Sequence, residues 1–380
     1  MCFSQAQGWK PKRTIKLCSW DGEEFSLKGS VNYGEANYAL LADKAVAYIN
    51  IDSAAFGQRF SPSGSPSMLP LLLQIADLIV DPFKQQTIGA SWPPNLPLVG
   101  AGSDFAVFFH HIGIPVLDLS FSGPNGVYHS AYDSFYFQST LGDPGFVGHL
   151  AIAQLASAVA VCLVDVGIYP FSFNNTALFY SSALQDLKEN DEAKALEIDF
   201  SPLEASLQRF SDAASQTDET IASVLGASSD SFGILTAESL SQQNAAIKQT
   251  YKEFLQSIGL PNRPWYKNVM AAPGIWLGYG VDVFPALTEA IRDDQDPALA
   301  SAWVQTISSS IDGATASLFS PSEENKEREA WVVPVVILAL LGVVILLGLF
   351  VRRRAKRRYE SSGDGVGLVS RGEGYSTLEQ

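Results

Sequence analysis

Asp21-Gly22-Glu23-Glu24 places three carboxylates directly after Arg13 to Trp20 (RTIKLCSW), an apolar, β-branched run that reads as a buried strand. Carboxylates at the C-terminal edge of a sheet sit where open α/β folds build their sites. Residues leaving a strand point in different directions. One carboxylate can therefore ligate a metal while its neighbour reaches a water as general base, a division of labour that hydrolysis needs. Asp52 ends a second such run, Ala45 to Asp52 (AVAYINID). His129, in Tyr128-His129-Ser130, follows a third, Ile114 to Phe121 (IPVLDLSF), and can supply an imidazole. Singly these are ordinary turn residues; after three successive strands they point to metal-assisted hydrolysis.

Other candidates carry less. His110-His111 lies on a helical stretch, and adjacent residues of a helix cannot both face one metal. His149 sits in an apolar helix as a hydrogen-bonded core residue. Gly100-Ala101-Gly102 lacks the spacing of a dinucleotide fingerprint. Three cysteines, Cys2, Cys18 and Cys162, are too scattered for a disulfide framework or a thiolate zinc cage. A net charge of -15 has the wrong sign for holding phosphate backbones, so no nucleic acid partner is expected.

The elements that must position these groups alternate between strand and helix. Helical stretches at 66–80 and 101–112 separate the apolar runs, and 141–166 reads as a helix packed on the sheet, so the class is an α/β layer. With 47% hydrophobic residues in 380, the chain can bury a large core. After Tyr169-Pro170 the composition turns to Ala, Ser, Gln, Glu and Lys. The segments 177–189, 201–226, 234–258 and 296–318 read as amphipathic helices of a separate helical unit starting near 176. Residues 319–330 are a polar linker.

Trp331 to Val351 is an uncharged run of 21 residues, long enough at roughly 1.5 Å per residue to span a ~30 Å hydrocarbon layer. Arg352 to Arg358 is strongly basic, which puts the tail, 352–380, in the cytosol. Residues 1–12 contain no apolar run that could serve as a signal peptide, so an upstream segment is expected to have carried the signal. Asn174 in Asn174-Asn175-Thr176 is a glycosylation sequon. Tyr375 and Leu378, in Gly374-Tyr375-Ser376-Thr377-Leu378, resemble a tyrosine-based sorting signal. The expected location is a vacuole, lysosome or plasma membrane.

Several motifs occur together in a fixed order: Ser19 to Phe25 (SWDGEEF) with Gly29-Ser30, Asn50-Ile51-Asp52-Ser53, Gly100 to Asp104 (GAGSD), Tyr128 to Asp133 (YHSAYD) and Asn262 to Pro273 (NRPWYKNVMAAP). As a set, running from about residue 8 to 318, they resemble the glutamate carboxypeptidase II and transferrin receptor family of zinc metallopeptidases. The resemblance implies a zinc-peptidase-type mixed sheet flanked by helices over 1–175, its N-terminal part missing, and an all-α dimerisation domain over 176–318. It also implies a homodimer acting on peptides. Glu23 would be the general base, Glu24 and His129 ligands of one zinc, and Asp52 a ligand of the second. Gly102, Ser103 and Tyr128 would line the substrate cleft, with Tyr279, in Leu277-Gly278-Tyr279-Gly280, contributed by the helical domain.

The departures from the family pattern are as informative. Family enzymes have a His and a zinc-bridging Asp upstream of the strand before the DGEE motif, and this chain has no His before His110. The chain as it stands is therefore expected to bind zinc poorly and to turn over little. No Lys or Arg occurs between Lys84 and Lys188, so an anionic substrate side chain would lack charge-assisted partners worth about 1.5–3 kcal/mol each. The expected activity is that of a membrane-anchored dizinc exopeptidase removing neutral or apolar residues. The alternative is a non-catalytic, transferrin receptor-like membrane protein that acts through dimerisation or partner binding.

Overall fold

The computed structural model describes residues 8–226, 236–276 and 278–318. The apolar run 331–351, the linker, and Tyr375 and Leu378 lie outside the described residues.

The chain opens with helices α1 (Lys28–Ala36) and α2 (Tyr38–Lys44), then strand β1 (Tyr48–Asn50). Short strands β2 (Arg59–Phe60) and β3 (Ser63–Gly64) precede helix α3 (Leu69–Ala76) and the ribbon β4 (Val80–Asp81) and β5 (Gln86–Thr87). A π-helical turn, Val107–Ile112, leads into β6 (Val116–Asp118) and β7 (Phe121–Ser122). β1 pairs in parallel with β6, Tyr48 opposite Val116 and Asn50 opposite Asp118, while β3 pairs antiparallel with β6 on its other side. Central β6 is apolar because it is covered on both faces: Val116, Leu117 and Leu119 are fully buried. The class is thus mixed α/β, with few and short strands.

Arg13 to Trp20 is a correction. It forms no strand, and no backbone ladder runs along it. A β-branched run becomes a strand only where a neighbour takes up its N–H and C=O groups, and here side chains anchor it instead. The Arg13 guanidinium donates to the carbonyls of Leu163, Val166 and Gly167 at 3.1, 2.6 and 3.2 Å, and the Trp20 indole donates to the Tyr48 hydroxyl at 3.0 Å.

Helix α4 (Val147–Asp165) is, among the described residues, the one helix long and apolar enough to cross a membrane. It buries Ala151, Ile152, Leu155, Val159 and Leu163 along one stripe and packs on α3, as a core helix does. The helical region follows: α5 (Phe173–Glu189), α6 (Asp191–Ala195), α7 (Ser201–Gly226), α8 (Ala237–Glu253), α9 (Pro285–Arg292) and α10 (Pro297–Leu318). Helices α7, α8 and α9 all pack on α10. Caps set the starts of α5 and α8: Ser172 accepts from the amide of Asn175, and Thr236 from that of Ser239. Between α8 and α9 lies a ribbon, β8 (Ala271–Pro273) against β9 (Val281–Val283), whose connection carries Tyr279.

Candidate functional site

Glu23 and Glu24 leave no strand; they stand on a single 3-10 turn, Glu23–Phe25. Gly22 before it and Ser26 after it both adopt left-handed backbone, with φ of 67° at each. The two reversals turn the chain so sharply that both carboxylates are presented at the head of the sheet without a strand behind them. Asp52 follows β1 as expected and is exposed. His129 is reached after β7 and has φ of 54°, in a region that a side chain other than glycine seldom occupies. Such backbone persists where its surroundings hold it, and functional sites are where it collects.

These elements bring the groups together. His129 Nε2 lies 3.0 Å from Glu24 Oε1, and its ring stacks on Tyr128 with centroids 3.9 Å apart. Burial raises the pKa of Glu23 above the usual carboxylate value, and the charges of Asp52, Asp104 and Glu24 add to this, while His129 opposes it. Four carboxylates and one imidazole thus share one electrostatic neighbourhood. Among the described residues, however, no group of three or more His, Cys, Asp or Glu is placed to hold a metal ion. Glu24 and His129 are the right donor types for zinc, but two donors fall short of the three usual at a catalytic zinc. The residues present do not by themselves complete a metal site.

Beneath these groups runs a polar network of which the sequence reading had singled out only Ser103. Asn50 Nδ2 donates to Ser103 Oγ at 3.0 Å and to Asp118 Oδ1 at 2.8 Å, and Tyr48 donates to Asn50 Oδ1 at 2.9 Å. Ser30 donates to Asp104 Oδ1 at 2.5 Å. Burial pushes Asp118 up to about 6, with Asp52 adding to it and Asn50 opposing, and it also raises Asp104. Asp118 could have been found as the lone charge inside the apolar run Ile114–Phe121; Asp104 stood unassigned in the GAGSD motif.

The expected cleft residues also assemble. Tyr279 lies against the loop Gly100–Ser103 so closely that a Cβ at Gly100 would stand 2.0 Å from Tyr279 O, and one at Gly102 2.6 Å from the Tyr279 ring. Glycine is needed at Gly100, where the added Cβ would meet the Tyr279 and Gly280 carbonyls; at Gly102 it would meet only the Tyr279 ring. Tyr128 is pushed up to about 12, by burial and then by a hydrogen bond with Tyr279. Ser103 points inward to Asn50, and its side chain is buried.

Other candidates take structural places. His111 stacks on Trp265 at 4.7 Å. His149 is half-exposed and its Nδ1 lies 2.6 Å from the buried carboxylate of Asp143. Asn174 sits in the first turn of α5, its Oδ1 accepting from Ser215 Oγ at 3.0 Å, with Thr176 buried.

A sheet region with clustered carboxylates and a His, followed by a helical region that lends a tyrosine, defines a peptidase-like class of protein. Comparison with known families agrees. Residues 2–141 match Peptidase family M28, and residues 198–319 match the transferrin receptor-like dimerisation domain. The chain belongs to the glutamate carboxypeptidase II and transferrin receptor-like family. The probable glutamate carboxypeptidase LAMP1 of Arabidopsis thaliana is 35% identical over 306 residues, 79% of this chain and 43% of that protein. Aminopeptidase NAALADL1 of Mus musculus is 28% identical over 342 residues, 82% of this chain and 45% of that protein. A Schizosaccharomyces pombe protein named inactive zinc metalloprotease C354.09c is 25% identical over 312 residues, 76% of this chain and 37% of its own length. The chain thus spans less than half the length of these relatives.

Proposed function

We propose that this chain carries part of the active site of a zinc exopeptidase that removes neutral or apolar residues from peptides. In this reading the protein is anchored by residues 331–351, with 352–380 cytosolic, and pairs through its helical region. The observation that supports it is the convergence of Glu24 and His129, at 3.0 Å, beside Glu23 and Asp52. Glu24 and His129 would hold one zinc and Asp52 the second; zinc would supply Lewis-acid chemistry. Glu23, with a raised proton affinity, would accept the proton of the attacking water. The absence of Lys and Arg from 85–187 argues for neutral over anionic substrates. Tyr128, Tyr279 and Gly102 would shape the cleft.

A second reading has its own support: no three-donor group exists among the described residues, and one relative is named inactive. In it the chain is a non-catalytic membrane protein working through dimerisation or partner binding. The mass of the endogenous protein, captured through its tail, separates the two. A species well above 41.0 kDa that holds zinc and loses hydrolysis of neutral dipeptides on Glu23→Gln supports the peptidase. A 41.0 kDa species without zinc or hydrolysis supports the second reading and sinks the first.

A further inference from the structure

We propose that His110 is a positioning residue that sets the separation between the two walls of the cleft, the Gly100–Ser103 loop and the ribbon that carries Tyr279. Calling this space a substrate cleft rests on the peptidase reading; the clamp itself does not.

His110 is completely buried in the π-helical turn. Its Nε2 lies 2.7 Å from Gly100 O, and its Nδ1 lies 3.0 Å from Ala271 O. Gly100 begins the loop that Tyr279 covers; Ala271 begins β8, the first strand of the ribbon that ends in Tyr279's connection. One rigid ring thus spans both walls at their roots. The ring stands between the two walls, and its single N–H near pH 7 can donate to only one of the two carbonyls.

The protonation state sharpens the point. Burial takes His110 down to about 4, so the ring is neutral near pH 7 and carries a single N–H. The shorter contact, to Gly100 O, is the natural place for that hydrogen, so the ring holds the loop while the unprotonated Nδ1 only packs against Ala271 O. The main chain of His110 adds a second attachment: its carbonyl accepts from the amides of Lys267 at 2.9 Å and Asn268 at 3.1 Å. Asn268, also buried, accepts through Oδ1 from the amides of Met270 and Ala271 at 3.0 and 3.3 Å. These bonds do not involve the ring, so a substitution at 110 leaves the ribbon attached and alters only its distance from the loop.

The test compares His110→Phe, which keeps a ring and loses the hydrogen bond to Gly100 O, with His110→Gln, which keeps a donor. Val107→Ala, a cavity in the same turn on the side that meets Gly34, controls for general loss of stability. Amide exchange is followed by mass spectrometry on the full chain. His110→Phe is expected to speed exchange about tenfold or more in the peptide covering 98–104, leaving 271–283 and 297–318 unchanged. His110→Gln restores protection to the 98–104 peptide, and Val107→Ala leaves that peptide as in the wild type. Equal exchange in His110→Phe and Val107→Ala at 98–104 would overturn the proposal, leaving His110 a core filler. In whichever form of the protein hydrolyses peptides, His110→Phe raises KM about tenfold with kcat within about twofold; the reverse split counts against it. Absence of hydrolysis in every form defeats the peptidase reading alone, since the exchange result stands without it.

Discussion

Half-buried Asp118 and fully buried His110 are two titratable groups whose effects on stability oppose each other. Burial holds Asp118 at about 6, above its ordinary 3.8. Between those values the folded chain keeps a proton that the unfolded chain has released, so this group lowers stability as pH rises and imposes its full cost above about 6. His110, held at about 4 and below its ordinary 6.5, does the opposite: the unfolded chain takes the proton first, and stability is lost as pH falls through that window. Asp118→Asn removes one side of this balance while keeping an acceptor for Asn50 Nδ2. It is expected to raise stability at pH 7 on the order of 2 kcal/mol. The gain shrinks through pH 5.5 and disappears near pH 4, where the variant also shows the steeper acid loss that His110 causes. Urea midpoints at the three pH values check this; a gain that persists at pH 4 would show that charge is not the cause.

At the scale of elements, long patterns were legible and short ones were not. Helices over 173–189, 201–226, 237–253 and 297–318 match the periodic segments read from sequence to within a few residues, because a stripe repeated over many turns leaves little choice of fold. The run 13–20 reads as a strand on propensity, yet propensity cannot supply the neighbour that a ladder requires. Glu23 and Glu24 were read as leaving a strand, but their support is a 3-10 turn flanked by left-handed backbone at Gly22 and Ser26, which no periodicity announces. Ribbon β8–β9 was missed because each strand has three residues, although the motif resemblance had named Tyr279 in its connection. The contact between ribbon and loop can be probed with its two glycines. In Gly102→Ala the new Cβ meets the Tyr279 ring, which is 69% exposed and free to swing. The cost is expected below about 1 kcal/mol. In Gly100→Ala the Cβ meets the Tyr279 carbonyl, and the backbone must move, at about 2–3 kcal/mol. Denaturant unfolding of the two variants ranks them, and equal losses would mean that the ribbon is not seated on the loop.

Across the whole molecule, the composition changes near residue 176 but the packing does not break there. Residues from Ala55 to Leu318 share one connected core, and residues 8–318 lie within one compact unit. Tyr251 of α8 shows how the two regions are joined. Its ring packs against Phe171 and Phe173 at 6.2 and 5.9 Å, and its hydroxyl is hydrogen-bonded to Ser67, just ahead of α3. Both Ser67 and Tyr251 are buried, so neither can turn to water if the other is lost. Tyr251→Phe keeps the ring and orphans the Ser67 hydroxyl, a loss of about 1–2 kcal/mol. If the regions unfold as one, that loss must appear equally in probes of each. Exchange at the slowest amides of α4, in the sheet region, and of α10, in the helical region, is expected to accelerate by the same factor in the variant. Acceleration confined to α10 would mean that the helical region unfolds alone and that the core joining it to the sheet contributes little to cooperativity.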